Sequence, residues 1–536
     1  MRLHSFHGGL HLPGHKEMSM REPVRPAGIP QTLVLPLQQH IGEPAEPCVK
    51  PGQRVRKGEV LAHASGYVSV PLHAPTSGRV VAIEPRSVAH PSGLQTACIV
   101  LEPDGADSWT ELTPRGGDYE QLDPSALRNL IREAGIVGLG GAGFPSFIKL
   151  NPGSASITTL VLNGAECEPY ITCDAMLMCE RAVEIVSGAL IMRHALHAEH
   201  CVIGVEDNKP AALAALRQAA GELGSDVEIV EVPTIYPAGG EKQLIKTLTG
   251  KEVPSNGLPV DIGVVCHNVG TAAAVYRAVV HGQPLIARYV TVTGHAVANP
   301  RNMEVLIGTP IADLLHACGL RAHVPHKIIV GGPMMGFELR ATHTPVVKTT
   351  NCVLAASEED AATRSPPMPC IRCGECAAAC PAQLLPQQLY WHAQAKDFDR
   401  IQDYNLFDCI ECGCCAYVCP SNIALVHYYR YAKTEIWAQE REKHKADLAR
   451  ERHEFHKFRL EREKAEREER HRKKREALAN KSTTDASKKA AIEAALARVK
   501  AKRGEARPDV TDGGTQERSA ESGRADAPLD HEDAKS

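Results

Sequence analysis

Eight cysteines in the C-terminal half of this 536-residue chain constrain it more than any other feature. Cys370, Cys373, Cys376 and Cys380 are spaced C-x2-C-x2-C-x3-C and are followed by Pro381. Cys409, Cys412, Cys415 and Cys419 repeat that spacing and are followed by Pro420. Closely set cysteines let one short loop wrap three corners of a cubane, so two such runs call for two [4Fe-4S] clusters. Structural zinc is the competing reading, because paired C-x2-C units could fill two tetrahedral sites. Zinc has no need of the third cysteine at that spacing or of the Cys-Pro ending, and both runs have both. Met1 to Leu10 lacks the apolar stretch of a cleavable signal peptide. The expectation is therefore a reducing compartment, where thiols stay free rather than forming disulfides.

The spacing is that of bacterial two-cluster ferredoxins, in which the fourth cysteine of each run ligates the other cluster. This assigns Cys370, Cys373, Cys376 and Cys419 to one cluster and Cys409, Cys412, Cys415 and Cys380 to the second. Exchanging a ligand between runs keeps the clusters close, as sequential electron transfer requires. Cys414 lies off the spacing and reads as a small buried residue, not a ligand.

A formal net charge of −4 does not single out a nucleic-acid partner, and 4% aromatics leave little for a base-stacking surface. No apolar run reaches the roughly 18 residues of a membrane-spanning helix, so membrane contact is expected through partners.

Along the chain the pattern changes five times. From Leu33 to Leu101, Val, Pro and Gly alternate in short stretches, and Glu46 to Ala62 is echoed by Val70 to Ile83. Turn glycines between short apolar strands predict a small β sandwich or flattened barrel. Its wording is similar to the biotinyl/lipoyl carrier fold, but the hairpin tip reads Ser65-Gly66-Tyr67-Val68 ahead of Ala74-Pro75. With no lysine there, a scaffold is expected rather than a swinging arm. From about Ser125 to Val280, helices at Ser125–Ala134, Lys209–Ala220 and Gly270–Arg277 alternate with strands at Thr159–Leu162, His200–Val205, Val227–Val232 and Ile262–Cys266. Such alternation predicts an α/β domain. Ile286 to Gly336 reads as a small α+β, β-grasp-like module with a helix at Pro310–Ala317, and Cys352 to Tyr431 as cysteine-rich helical turns. Beyond Glu435 the text is charged and helix-forming, with many opposite charges four residues apart and few apolar anchors. From Arg503 onward, Gly, Asp, Ser and Ala predict disorder. The expected domains are residues 1–120, 121–284, 285–345, 353–432 and a tail of 433–536.

Ala134 to Lys149, AGIVGLGGAGFPSFIK, carries the second signal. Gly138, Gly140 and Gly143 fit G-x-G-x-x-G, yet the segment follows a predicted helix and runs into Pro145, which excludes the ordinary dinucleotide turn. Glycines still let backbone approach a flat ring or a phosphate. A purely structural turn does not need Gly135, Gly138, Gly140, Gly141 and Gly143 together.

GLGGAGFPSFIK closely resembles the nucleotide loop of the NADH-oxidising flavoprotein subunit of respiratory complex I. Asn163-Gly164-Ala165-Glu166-Cys167-Glu168-Pro169 resembles that family's N-A-D-E-x-E-P, Tyr236 to Glu241 its Y-x-x-G-E-E, and Asn268 to Thr271 its N-V-E-T. Ala165 stands where the family has aspartate, and Gly240 and Gly270 where it has glutamate. The order of carrier-like domain, flavin domain and two ferredoxin runs, with a charged extension, resembles the C subunits of the Rnf (Rsx) electron transport complexes.

That resemblance implies noncovalent FMN, NADH as substrate and two [4Fe-4S] clusters. Asn163, Glu166, Tyr236, Asn268 and Thr271 would surround FMN, Lys149 would meet its phosphate, and Gly138, Gly140, Gly141 and Gly143 would face flavin and nicotinamide. Glu241 belongs to the same matched segment, and Glu168 would lie near the incoming NADH. Hydride transfer to flavin needs no side-chain acid or base, so none is assigned. The implied setting is a peripheral subunit on the cytoplasmic face of an inner membrane, among other membrane and peripheral subunits that couple electron flow to ion movement. A soluble NADH-dependent flavin iron–sulfur oxidoreductase and a nonenzymatic iron–sulfur carrier or scaffold are the alternatives.

Overall fold

A computed structural model of the chain describes residues 2–324, 327–360 and 366–502. Two compact units divide between Gln439 and Glu440.

The Val- and Gly-rich text after Leu33 folds into two small antiparallel sheets. One has the strand order Leu33–Pro36, Gln95–Pro103, Gly78–Ser87, Arg54–Val55, and the other has Glu46–Pro47, Val60–His63, Leu72–His73. Leu33, Leu35, Leu61, Val80, Ile99 and Leu101 are fully buried in the core. The strands of these two sheets begin at Leu33, and the residues before them take another course. They run as extended chain over other domains: the His4 amide donates to the Thr247 carbonyl (3.0 Å), and Arg25–Pro26 adds an edge strand to a later sheet.

The α/β reading holds and gains detail. Four parallel strands lie in the order Glu228–Val232, His200–Glu206, Thr159–Gly164, Val264–Asn268. Strand side chains alternate faces, and here both faces are apolar. Leu160, Leu162, Cys201, Ile203 and Val265 point to the larger core, with the helices Ala182–Leu196 and Val269–His281. Val161, Val202, Val264 and Cys266 point to a second core under the helix Glu241–Thr249. Gly188 lets two helices meet backbone to backbone, since a Cβ there would stand 1.9 Å from the Ala272 carbonyl oxygen. The helix Pro124–Glu133 starts at Asp123, whose side chain accepts from the Ser125 amide.

The next module is a six-stranded sheet ordered Arg25–Pro26, Arg301–Leu306, Ala287–Thr293, Cys352–Ala356, Lys327–Val330, Phe337–Glu338, with the helix Ile311–Ala317. Cys352–Ala356 corrects the helical-turn reading: these five consecutive small and apolar residues are all buried and form a central strand. The short helices Glu375–Ala378 and Cys414–Tyr417 lie within the two cysteine runs, and Pro386–Ala395 and Phe398–Asp403 lie between them.

A helix spans Leu425–Lys502. In the first unit its residues Leu425, Val426, Tyr429, Ala432 and Ile436 are buried in one core with cysteines of both runs. In the second unit, residues 440–501 are exposed throughout, with pairs such as Arg459–Glu463 and Lys473–Glu469. Among the described residues no helix is long and apolar enough to cross a membrane. The expectation of disorder from Arg503 onward lies outside the described residues.

Candidate functional site

The two cysteine runs wind alike. Arg372 and Gly374 in the first run, and Glu411 and Gly413 in the second, have positive φ at equivalent positions (59°, 86°, 58° and 84°). Left-handed residues at such spacing coil a loop into the kind of concavity that suits an anionic group. One cavity is lined by Cys370, Cys373, Cys376 and Cys419, with Tyr390, Trp391 and Ile423. A second is lined by Cys380, Cys409, Cys412 and Cys415, with Leu384, Leu389 and Tyr429. Each therefore draws its fourth cysteine from the other run, and four thiols in an apolar wall fit a cubane. Cys414 is fully buried; it packs beside Tyr236 and Ala379 and also borders the second cavity.

The glycine-rich segment follows the helix Pro124–Glu133 and not a strand, as its sequence required. Val137 and Pro145 pair across it, and the Gly138 amide donates to the Phe144 carbonyl (2.8 Å). Its tip lies against the carboxyl end of Val264–Asn268, which pairs with Thr159–Gly164. A Cβ on Gly140 would stand 3.4 Å from the Asn268 Cβ, and the Leu139 amide donates to Thr271 Oγ1 (3.0 Å). Those two strands are neighbours where the chain reverses its direction of sheet growth, the place where open α/β sheets form ligand crevices. Gly140 and Gly141 are exposed, Gly141 has φ 119°, and no atom stands within 4 Å of a Cβ built there. This cradle, with amide and hydroxyl groups around it, fits a flat ring carrying a phosphate.

The polar residues expected here are gathered but already paired. Asn163 Nδ2 donates to the Gly239 carbonyl (2.7 Å), and its Oδ1 accepts from the Ala165 amide (3.1 Å). Asn268 Oδ1 accepts from the Gly270 amide (2.8 Å), and its Nδ2 donates to Asp174 (2.6 Å). Glu166, at φ 53°, accepts from the Asp174 and Ala175 amides (2.7 and 3.1 Å), capping the helix Cys173–Glu180. Lys149 is bound to Glu241 (3.0 Å), so its charge is compensated before any phosphate arrives.

Two of the expected residues make contacts far along the chain. The Glu168 carboxylate accepts from the Met334 and Met335 amides (2.7 and 3.0 Å), and burial raises its pKa. Tyr236 is 3% exposed, and its hydroxyl donates to the Cys412 carbonyl (2.5 Å), so it sits against the second cysteine run.

Sequence reasoning missed the groups that hold these loops. Lys16 Nζ donates to the carbonyls of Glu166, Glu168 and Ile171 (2.7, 2.8 and 2.6 Å). Lys209 Nζ donates to the Ala165 carbonyl (2.7 Å) and to Glu206 (2.6 Å), both side chains being almost fully buried. Arg288 donates to the Leu139 and Lys348 carbonyls. Desolvation, with the Glu166 carboxylate next, pushes Asp174 up to about 7. Arg288 alone left a legible trace, a cation inside the apolar strand Ala287–Thr293. A cavity of about 370 Å³ also borders Leu139, Asp174 and Gly270. Its flanking charges are paired within the protein, Lys57 with Asp107 (2.7 Å) and Arg277 with Glu304 (3.2 Å).

Comparison with known proteins follows this anatomy. The RnfC barrel sandwich hybrid domain matches residues 4–106, the Nuo51 FMN-binding domain 131–277, the SLBB domain 289–338 and the 4Fe-4S dicluster domain 369–423. The chain is thus a modular protein of the flavin and iron–sulfur class. Curated relatives named as the C subunit of an ion-translocating oxidoreductase complex are 50% identical in Vibrio cholerae serotype O1 (95% of this chain, 65% of that protein) and 49% identical in Serratia proteamaculans (94% and 70%). A third, from Yersinia pestis, is 49% identical over 91% of this chain and 78% of its own length. The chain belongs to the family of these C subunits, and it spans about two thirds of the length of the Vibrio relative. A solved NAD+-reducing [NiFe]-hydrogenase aligns at 19% identity and a TM-score of 0.43, covering 61% of this chain and 63% of its own.

Proposed function

We propose that this chain is the NADH-oxidising, electron-transferring subunit of an ion-translocating membrane complex, carrying FMN and two [4Fe-4S] clusters. The observation that carries the reading is the pairing, in one chain, of a glycine cradle at a parallel-sheet switch point with two four-cysteine cavities. FMN, when bound, supplies the exchange between a two-electron hydride and single electrons. The protein's own part is positional. Gly140 and Gly141 leave room for a ring, while Asn163, Asn268 and Thr271 fix the loops around it. Gly138 and Gly143 close the base of the same loop, the Gly143 amide donating to the Gly138 carbonyl (3.2 Å). Lys149 and Glu241 stand at its border as an ion pair whose cation can turn to a phosphate. Glu166 and Glu168 act through the backbone turns they hold, and Tyr236 through the cysteine loop it touches. Cys370, Cys373, Cys376 and Cys419 hold one cubane, and Cys380, Cys409, Cys412 and Cys415 the other.

The membrane setting follows the names of the relatives, and the partners are the other membrane and peripheral subunits of an Rnf-type complex. The chain is peripheral, on the cytoplasmic side of the inner membrane. Fractionation tests the setting: the chain should sediment with membranes when its partners are co-expressed and stay soluble alone. Recovery in the soluble fraction under both conditions would favour a free-standing oxidoreductase.

A further inference from the structure

The position of Tyr236 against the second cysteine run orders the two cluster sites; the inference rests on the function proposed above. Tyr236 starts the turn whose Gly239 carbonyl accepts from Asn163 and whose Gly239 amide lies 3.3 Å from Cys167 Sγ. Its hydroxyl reaches the Cys412 carbonyl, and its ring shares a buried cluster with Ala379, Cys412 and Cys414. Further ties reach the same region. The Gly9 amide donates to the Ala379 carbonyl and His7 Nδ1 lies 3.1 Å from the Cys380 carbonyl, both within an N-terminal segment that also pairs Leu10 with Tyr236. Lys242 is paired with Asp408 at 3.3 Å. A Cβ on Gly413 would stand 3.1 Å from the carbonyl oxygen of Met334, the residue whose amide holds Glu168.

The other cavity is bonded differently. Around Cys370–Cys376, the Met368 amide donates to the Ser421 carbonyl, Ser421 Oγ donates to the Pro369 carbonyl, and Cys376 Sγ approaches Gln387. All of these stay inside the cysteine-rich segment. Cys373 is exposed, and Met368 and Ile371 are 62% and 67% exposed.

We infer that the cavity of Cys380, Cys409, Cys412 and Cys415 receives electrons first, across the packed contact made by Tyr236 and Met334, and that the cavity of Cys370, Cys373, Cys376 and Cys419 is where they leave the chain. Electron tunnelling weakens steeply with the width of the gap, and a gap filled by packed atoms is crossed faster than one filled by solvent. The balance is simple. Oxidation of one NADH to NAD+ and a proton yields two electrons, and each cubane accepts one, going from 2+ to 1+. The receiving cluster must pass its electron outward before it can take the second. Tyr236 is a positioning residue in this scheme, since it joins two loops and exchanges no electron itself.

The test uses the full chain, prepared anaerobically with FMN and assayed for iron. Rapid freeze-quench EPR after mixing with NADH is compared with dithionite reduction. Cys373→Ala should lose one cubane, and NADH should still reduce the remaining one as fast as in the parent. Cys409→Ala should also lose one cubane, and the remaining one should respond to dithionite and not to NADH. The opposite pattern, or equal NADH reduction in both variants, overturns the order. If either alanine variant fails to assemble, Cys373→Ser and Cys409→Ser keep an oxygen ligand and mark one cluster by an altered signal. The first signal to appear should then be altered in Cys409→Ser and unaltered in Cys373→Ser, and the reverse sequence refutes the proposal. A parent chain that NADH does not reduce contradicts the proposed function, whereas a reduced parent with the wrong variant pattern contradicts the order alone.

Discussion

Lys209→Met isolates the buried pair that holds the Asn163–Glu168 loop from behind. Lys209 and Glu206 leave 1% and 0% of their side chains exposed, at 2.6 Å. The ammonium also serves the carbonyl of Ala165 and the side chain of Asn208. Glu206 Oε1 already lacks a partner, so deleting the cation leaves a buried carboxylate with no compensation. Removing one member of a buried pair costs about 3–5 kcal/mol. Since about 1.4 kcal/mol is a factor of ten, amide exchange in His200–Glu206 should accelerate between roughly a hundred-fold and a few thousand-fold. Hydrogen exchange read by mass spectrometry resolves this domain separately, which a whole-chain melt of a multidomain protein does not. Burial already raises the Glu206 pKa, opposed by Lys209, so the variant's carboxyl should protonate more readily. A group with a raised folded pKa stabilises fully below its unfolded pKa and loses that contribution as pH rises. The defect should therefore shrink as pH falls toward 5. The double variant Lys209→Met/Glu206→Leu should recover most of the loss, because a buried pair replaced by apolar groups is often neutral. Exchange in Lys209→Met within about five-fold of the parent, a change of roughly 1 kcal/mol, would refute the reasoning.

Gly141→Val should release FMN and abolish NADH oxidation while iron content stays at the parent value, because φ 119° strains any branched residue; retention of stoichiometric FMN on denaturation contradicts this. Cys370→Ala should remove about four of about eight irons, whereas Cys414→Ala should remove none, by iron assay. An iron content halved by the Cys414 change would show the second ligand set to be wrong. Asp174→Asn should flatten the pH dependence of exchange in Cys173–Glu180. The raised carboxyl, near 7, stabilises fully below its unfolded pKa of about 4 and loses that contribution as pH rises toward 7. Parallel pH profiles for the two proteins would exclude Asp174 as the cause.

Much of this anatomy was written in local pattern. The cysteine spacing is short-range and legible in the sequence, and two cavities group Cys419 with Cys370 and Cys380 with Cys409. The four parallel strands announced themselves as apolar runs because both sheet faces are covered. What local pattern could not give was partnership at long sequence separation. Tyr236 and Glu168 carry flavin-loop motifs, yet they bond to Cys412, 176 residues away, and to Met334, 166 away. Lys16 reaches three carbonyls 150 or more residues downstream, and a single lysine in an irregular segment has no periodicity to reveal that. Cys352–Ala356 carries no local signal of its own, because five apolar residues ahead of a dense cysteine motif read equally well as strand or as helical turn.

In the proposed function one chain joins a nucleotide-reduced flavin to two cubanes. Anaerobic titration of the full chain with NADH, followed by flavin absorbance and EPR together, tests it most directly. Flavin should bleach and two interacting [4Fe-4S]1+ signals should grow with added NADH, in a protein holding about eight irons. Clusters that dithionite reduces but NADH leaves oxidised, in a chain with FMN bound, would contradict it.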